Sequence, residues 1–145
     1  MSEPKRPASD SVERALEQIG DRWTFLLLRE AYFGVRRFDQ FQTATGASPN
    51  ILNDRLRKLV ANGVFERKRY CDRPPRDEYR LTDKGRDLYP VIVALMTWGD
   101  RWLNEEKNPP LQLIHVRCGN ESQPRMVCDC CGEAITARDM TWTSE

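Results

Sequence analysis

Histidine is almost absent from this chain, with one copy, His115, among 145 residues. Enzymes that work through an activated nucleophile need a base beside it, and no residue outside the C-terminal region supplies a natural pair. No apolar run approaches the ~20 residues a membrane helix requires. The opening MSEPKRPASD holds a basic pair but no apolar stretch, so a secretory signal is not expected and a cytoplasmic location is. Net charge is missing too, since 23 Lys and Arg against 22 Asp and Glu leave +1. Any charged partner must be sought in how charge is distributed, not in its sum. Hydrophobic residues, at 39%, suffice for one small core with an appendage.

What is present is periodic. Two prolines and small polar groups make residues 1–9 an expected loose arm. Val12, Ala15, Leu16 and Ile19 then fall on one helix face before Gly20. Asp21 can cap a second helix that is apolar nearly all round from Trp23 to Tyr32, as central core helices are. Phe38 and Phe41 mark a short amphipathic helix ending at Gly46. Ser48 suits an N-cap and Pro49 a first turn, and Leu52, Leu56, Leu59 and Val60 continue at helical spacing to Asn62-Gly63. Residues 38–63 therefore read as helix, tight turn, helix. Val64–Tyr70 and Asp77–Leu81 predict two strands joined by a loop over 72–76. Thr82 can cap a last helix carrying Leu88 to Leu103, where Pro90 predicts a kink or a broken start. Asn108-Pro109-Pro110 closes a main domain of residues 10–107, and a Cys-rich module follows over 111–145.

The helix predicted over 49–62 turns Leu52, Leu56 and Leu59 inward. Its opposite face presents Asn50, Asn53, Asp54 and Arg57, with Ser48 at the cap. Asn and Arg can make paired hydrogen bonds to adenine and guanine edges, and a helix N-terminus favours a phosphate. An ordinary surface helix also has a polar face, so the flanking charge matters. From Ser48 to Arg86 there are 11 Lys and Arg against 6 Asp and Glu, an excess of 5 in a chain that totals +1. Arg67, Lys68, Arg69, Arg73 and Arg76 gather at the hairpin. Such a hairpin can follow phosphates while a loop-tip arginine enters the minor groove. The same charges also protect a solvated edge against sheet pairing. With Arg37 ahead of the helix-turn-helix, the candidate DNA contacts are Arg37, Ser48, Asn50, Asn53, Asp54, Arg57, Lys68, Arg73 and Arg76.

GDRWTFLLLRE, RRFDQF, SPNILNDRLRKLVANGVFERKRY, PPRDEYRLTDKGRDLYPVI and WGDRW resemble the HxlR-type winged helix-turn-helix regulators, relatives of the MarR group, over about Ser11 to Leu103. The resemblance implies an α+β, mostly α fold with terminal dimerisation helices. It implies a homodimer on a pseudo-palindromic double-stranded DNA operator, with helix 49–62 in the major groove and 72–76 as the wing. A repressor or autoregulator answering an unidentified effector is expected. Residues 11–19 and 83–104 would form the dimer interface, through Val12, Leu16, Val91, Leu95, Trp98 and Trp102. The aromatics among these would otherwise pack on their own domain. Trp23, Phe33 or Trp98 would line an effector pocket. Some members sense oxidants through a cysteine ahead of the first helix, where this chain has Asp10 and Ser11, so that mechanism is not expected. Cys71, at the wing base between Arg69 and Arg73, is a candidate thiolate instead, or an inert strand residue.

The other four cysteines crowd the C-terminal module. His115-Val116-Arg117-Cys118-Gly119 and Cys128-Asp129-Cys130-Cys131-Gly132 share the form ligand-x-x-Cys-Gly. Two such turns are the expected half-sites of a tetrahedral structural zinc, held by His115, Cys118, Cys128 and Cys131. Cys130 leaves that set open, because it can replace Cys128 or Cys131 or form a disulfide. A metal-free redox switch on Cys128 and Cys131 competes, as does a module folded on Met126, Val127, Ile135 and Trp142 alone. Four protein ligands would leave no open position for catalysis, so no enzyme is expected. The alternatives to a DNA-binding regulator are an interaction module working through protein contacts and a thiol-based switch.

Overall fold

The computed structural model describes residues 10–105 and 110–141. The expected arm at 1–9 and Trp142 lie outside the described residues. The element order is α1 (Ser11–Ile19), α2 (Arg22–Tyr32), α3 (Phe38–Thr45), α4 (Pro49–Ala61), β1 (Phe65–Asp72), β2 (Pro75–Leu81), α5 (Asp83–Arg86), α6 (Tyr89–Trp102), β3 (Leu113–Ile114) and β4 (Glu121–Ser122). Two compact units divide between Ile92 and Val93, inside α6.

The helices begin where short polar side chains stand ready. First-turn N–H groups lack intrahelical partners, so a side-chain oxygen one position earlier is worth about 1 kcal/mol. Asp10 accepts from Glu13 N–H at 2.9 Å, Asp21 from Thr24 N–H at 3.0 Å and Ser48 Oγ from Ile51 N–H at 3.4 Å. Gly46 closes α3 at φ 72°, a left-handed backbone open to glycine without strain, and this sets the three-residue turn into α4.

The core of the first unit is built by α2, α3, α4 and the hairpin. Leu27, Leu28, Phe41, Leu52, Leu56, Leu59, Val64, Phe65 and Tyr79 are buried together, with Phe41 and Phe65 ring centroids 6.0 Å apart. The leucine stripe of α4 is thus its anchor, each buried leucine contributing about 1.5–3 kcal/mol. α2 is less enclosed than its composition predicts, because only Thr24, Leu27 and Leu28 are buried along it.

β1 and β2 pair antiparallel from Phe65↔Leu81 to Asp72↔Pro75, with a bulge between Arg69 and Cys71. The expected loop over 72–76 is therefore shorter: Asp72, Pro75 and Arg76 belong to the strands, and Arg73-Pro74, joined by a cis peptide, forms the tip. The prolines disguised this in the sequence, since Pro75 tolerates a strand end where no N–H is required. Tyr79 N–H donates to the Arg36 carbonyl at 2.7 Å, which ties the α2–α3 connection to the outer edge of β2.

The helix expected after Thr82, with a kink or broken start at Pro90, has the broken start: it is divided into α5 and α6. α5 is one turn, capped by Thr82 Oγ1 accepting from Gly85 N–H at 3.1 Å, and α6 restarts with Pro90 in its first turn. That is where a missing N–H costs nothing. Gly85 is buried against Val64, and Tyr32 donates its hydroxyl to the Gly85 carbonyl at 2.5 Å. Burial, with Asp87 and Tyr89 adding to it, pushes the Tyr32 phenol up to about 12. Leu88 and Ile92 pack on the first unit's core, whereas Val91, Leu95, Trp98 and Trp102 are exposed.

Candidate nucleic-acid interface

α3, the turn at 46–48 and α4 form the helix-turn-helix, and the leucine stripe fixes which face of α4 is outward. Ser48, Asn50, Asn53 and Arg57 are all exposed there. Asp54, half-exposed on the same helix, is the one of the expected contacts there with ionic partners of its own. Its carboxylate holds Arg55 and, at 3.3 Å, Lys58, so its charge is already engaged within the helix. Hydrogen bonding to Lys58, outweighing slight burial and aided by the Lys58 and Arg55 charges, keeps that carboxyl below its usual range.

Arg55 was not singled out by the sequence pattern. It reaches from α4 to Asp21, the cap of α2, with Nε 2.9 Å from Oδ1. Asp21 meanwhile accepts the Thr24 hydroxyl at 2.6 Å on its other oxygen. Burial raises the Asp21 pKa, but the Thr24 and Arg55 hydrogen bonds outweigh it and hold the carboxyl below its ordinary value. A polar residue 34 positions away carries no local signal of such a pairing.

The hairpin's positive charge is largely answered within the hairpin. Arg67 and Arg69 both pair with Asp77, at 2.7 and 3.3 Å, Lys68 pairs with Glu66 at 3.2 Å, and Arg80 pairs with the buried Glu78. Among the described residues of α4 and the β1–β2 hairpin, Arg57, Arg73 and Arg76 are the basic side chains with no acidic partner. They sit on the outward face of α4, at the tip of the β1–β2 wing and at the start of β2. Arg37 stacks its guanidinium 4.3 Å from the Tyr70 ring centroid, joining the start of α3 to the wing. Cys71 lies at the bulge, half-buried, with its sulfur 3.7 Å from the Arg73 carbonyl, while Arg69 turns to Asp77. A shallow depression in the same unit is lined by Arg36, Glu66, Tyr79, Arg80, Leu81 and Arg86, but not by Trp23 or Phe33.

The four expected zinc ligands are found as two pairs. His115 Nδ1 lies 3.4 Å from Cys118 Sγ. Cys128 accepts from the backbone N–H groups of Cys131 and Cys130 and from the Cys131 side chain, which together hold its thiol below the ordinary value. Among the described residues no three His, Cys, Asp or Glu side chains are grouped closely enough to hold a metal ion. Each pair instead occupies its own chain reversal. All five cysteines are free.

No helix among the described residues is long and apolar enough to cross a membrane. Residues 18–107 match the HxlR-like helix-turn-helix family. The HTH-type transcriptional regulator Rv3095 of Mycobacterium tuberculosis is 52% identical over 91% of this chain and 84% of its own length. The crystal structure of PA1607, a candidate transcription factor, superposes with a TM-score of 0.84 at 34% identity over 95% of this chain and 96% of that one. The redox regulator HypR in its reduced form covers only 63% of this chain and 92% of its own, with a TM-score of 0.60 at 33% identity. These relatives are regulators of transcription, not enzymes. With its helix-turn-helix, its wing and a match over 18–107, the chain belongs to the HxlR-like helix-turn-helix family of transcriptional regulators.

Proposed function

We propose that this regulator is a homodimer that binds a pseudo-palindromic operator, each copy laying α4 in the major groove and the β1–β2 wing along the flanking backbone. The observation that carries this reading is the placement of the unpaired arginines. Most of the basic side chains between Arg55 and Arg86 have acidic partners, whereas among the described residues Arg57 on α4, Arg73 at the wing tip and Arg76 at the start of β2 have none; Lys84, also without an acid, bonds Gln18 and the Asn62 carbonyl. Cations held without a counter-charge attract phosphates or guanine edges at no cost in broken ion pairs. Asn50 and Asn53 read bases beside Arg57, Ser48 and Arg37 position the backbone, and Lys68 contributes only by leaving Glu66. A repressor or autoregulator under an effector is the regulatory role that this arrangement serves.

Exposed apolar side chains support the dimer. Val12 and Leu16 on α1 and Val91, Leu95, Trp98 and Trp102 on α6 leave apolar surface in water that a second copy would cover. Sedimentation across a wide concentration range should give a dimer, and Trp98→Glu should move it towards monomer; a monomer at every concentration for the native chain contradicts the reading. For DNA, anisotropy titration against the gene's own upstream region and a shuffled duplex should show at least ~10³-fold preference for the former at physiological salt. Equal affinity for both, with the same salt slope, removes sequence-specific recognition.

A further inference from the structure

We propose that the C-terminal module is a zinc site, with His115 Nδ1 and the sulfurs of Cys118, Cys128 and Cys131 as ligands and Cys130 outside the set. The inference is independent of the DNA-binding reading. It rests on a repeated backbone geometry that spacing alone did not reveal. In the first hairpin, β3 and β4 pair from Leu113↔Ser122 to Ile114↔Glu121, and His115 N–H donates to the Asn120 carbonyl at 2.9 Å. In the second, Val127 bridges Ala134, and Cys128 N–H donates to the Glu133 carbonyl at 2.8 Å. Inside each tip the glycine N–H returns to the carbonyl of the first ligand, Gly119 to His115 at 2.7 Å and Gly132 to Cys128 at 2.8 Å. Both glycines are left-handed, at φ 70° and 77°.

The two tips are thus one turn built twice, with a soft ligand at its first position and a cysteine at its fourth. A six-residue hairpin tip is common by itself, and nothing in its backbone asks for sulfur or imidazole at those two places. The equivalence also settles the ambiguous cysteine. Cys131, followed by the left-handed Gly132, corresponds to Cys118 followed by Gly119, so Cys130 falls between ligand positions.

The ligand separation fits. With Zn–S near 2.3 Å and Zn–N near 2.0–2.1 Å, a histidine and a cysteine sharing one tetrahedral ion stand about 3.6 Å apart; His115 Nδ1 and Cys118 Sγ stand at 3.4 Å. Residues 123–125 alone join the two hairpins, and a single ion would draw the two pairs together.

A second observation asks for such a staple. No residue from 110 to 141 is buried, and Ile114, Val116, Met126, Val127 and Met140 are exposed. A segment this short without an apolar core needs a cross-link or a metal to hold tertiary structure, and its cysteines form no disulfide. Binding would release three thiol protons to solvent, leaving Zn²⁺ with three thiolates and a neutral imidazole.

The test uses the full chain purified without added metal under reducing conditions. About one zinc per chain is expected, and cobalt substitution should give the charge-transfer and intense visible bands of a tetrahedral, sulfur-rich site. Cys118→Ser and Cys131→Ser should each lose stoichiometric zinc, and Cys130→Ser should keep it. A metal-free native chain overturns the assignment. So does a Cys128–Cys131 disulfide in place of the ion, or metal lost in Cys130→Ser but kept in Cys131→Ser. If the first two variants prove insoluble, the cobalt spectrum of the native chain decides, its absence counting against the site.

Discussion

Arg55 Nε donates to Asp21 Oδ1 at 2.9 Å, so the carboxylate that caps α2 also holds α4. The same oxygen accepts Thr24 N–H, and Thr24 is itself buried. One acid therefore fixes the start of a core helix and the orientation of the helix that presents Asn50, Asn53 and Arg57.

Removing this link should loosen α4 without emptying the core. Asp21→Asn and Arg55→Ala are each expected to lower urea stability, with a coupling between them of about 1 kcal/mol in a double-mutant cycle. The pH dependence has a definite sign. Because the folded Asp21 pKa lies below its ordinary value, its contribution is complete above the unfolded pKa and is lost as pH falls through the folded one. Native protein should lose more stability between pH 5 and roughly pH 3 than Asp21→Asn does. Parallel acid profiles would show that the cap carries no such contribution.

Arg57 is exposed on α4 and free of acidic partners, whereas Asp54, three residues before it, is already paired. Arg57→Ala is expected to cost about 1–3 kcal/mol on the specific site and to relax one base position. Asp54→Ala should leave base preference intact and change only affinity, through Arg55 and Lys58. Binding-site selection with both variants separates the two. A uniform loss across all sequences for Arg57→Ala makes it a phosphate contact.

The wing offers an internal comparison. Arg73 and Arg76 have no partner to abandon, while Lys68 must leave Glu66. Arg73→Ala and Arg76→Ala should each reduce the slope of log K against log salt by about 0.9. Lys68→Ala should reduce it by less. Equal slopes for all three and the native chain would take the wing tip off the DNA.

Gly85 is irreplaceable on steric grounds. A Cβ there would collide with the Val64 carbonyl and press on the Leu81 side chain. Gly85→Ala must displace α5 from Val64 and the end of β2, an overpacking that typically costs about 1–3 kcal/mol, read from the urea midpoint. Tyr32→Phe, which removes only the hydrogen bond to the Gly85 carbonyl, should cost about 0.5–1.5 kcal/mol. A neutral Gly85→Ala would mean that α5 is free to shift.

Much of the candidate interface was legible in the chain because helix periodicity and capping are local. Ser48, Pro49 and the leucine spacing placed α4 and its outward face within a residue, and the resemblance of the flanking motifs supplied the wing. The wing's shape was less legible: Pro74 and Pro75 suggested a five-residue loop, and strand pairing absorbed all but its tip. The basic run at 67–69 was the weakest guide, since charge counted along a chain ignores the acids that strand register sets opposite.

By itself, the sequence determined the helix-turn-helix, the family and the twin ligand-x-x-Cys-Gly turns, all written in residues a few positions apart. Tertiary structure alone decided which arginines remain unpaired and that Arg55 belongs to Asp21. Those outcomes depend on where separate elements meet. Contacts between residues far apart in the chain leave no period to read.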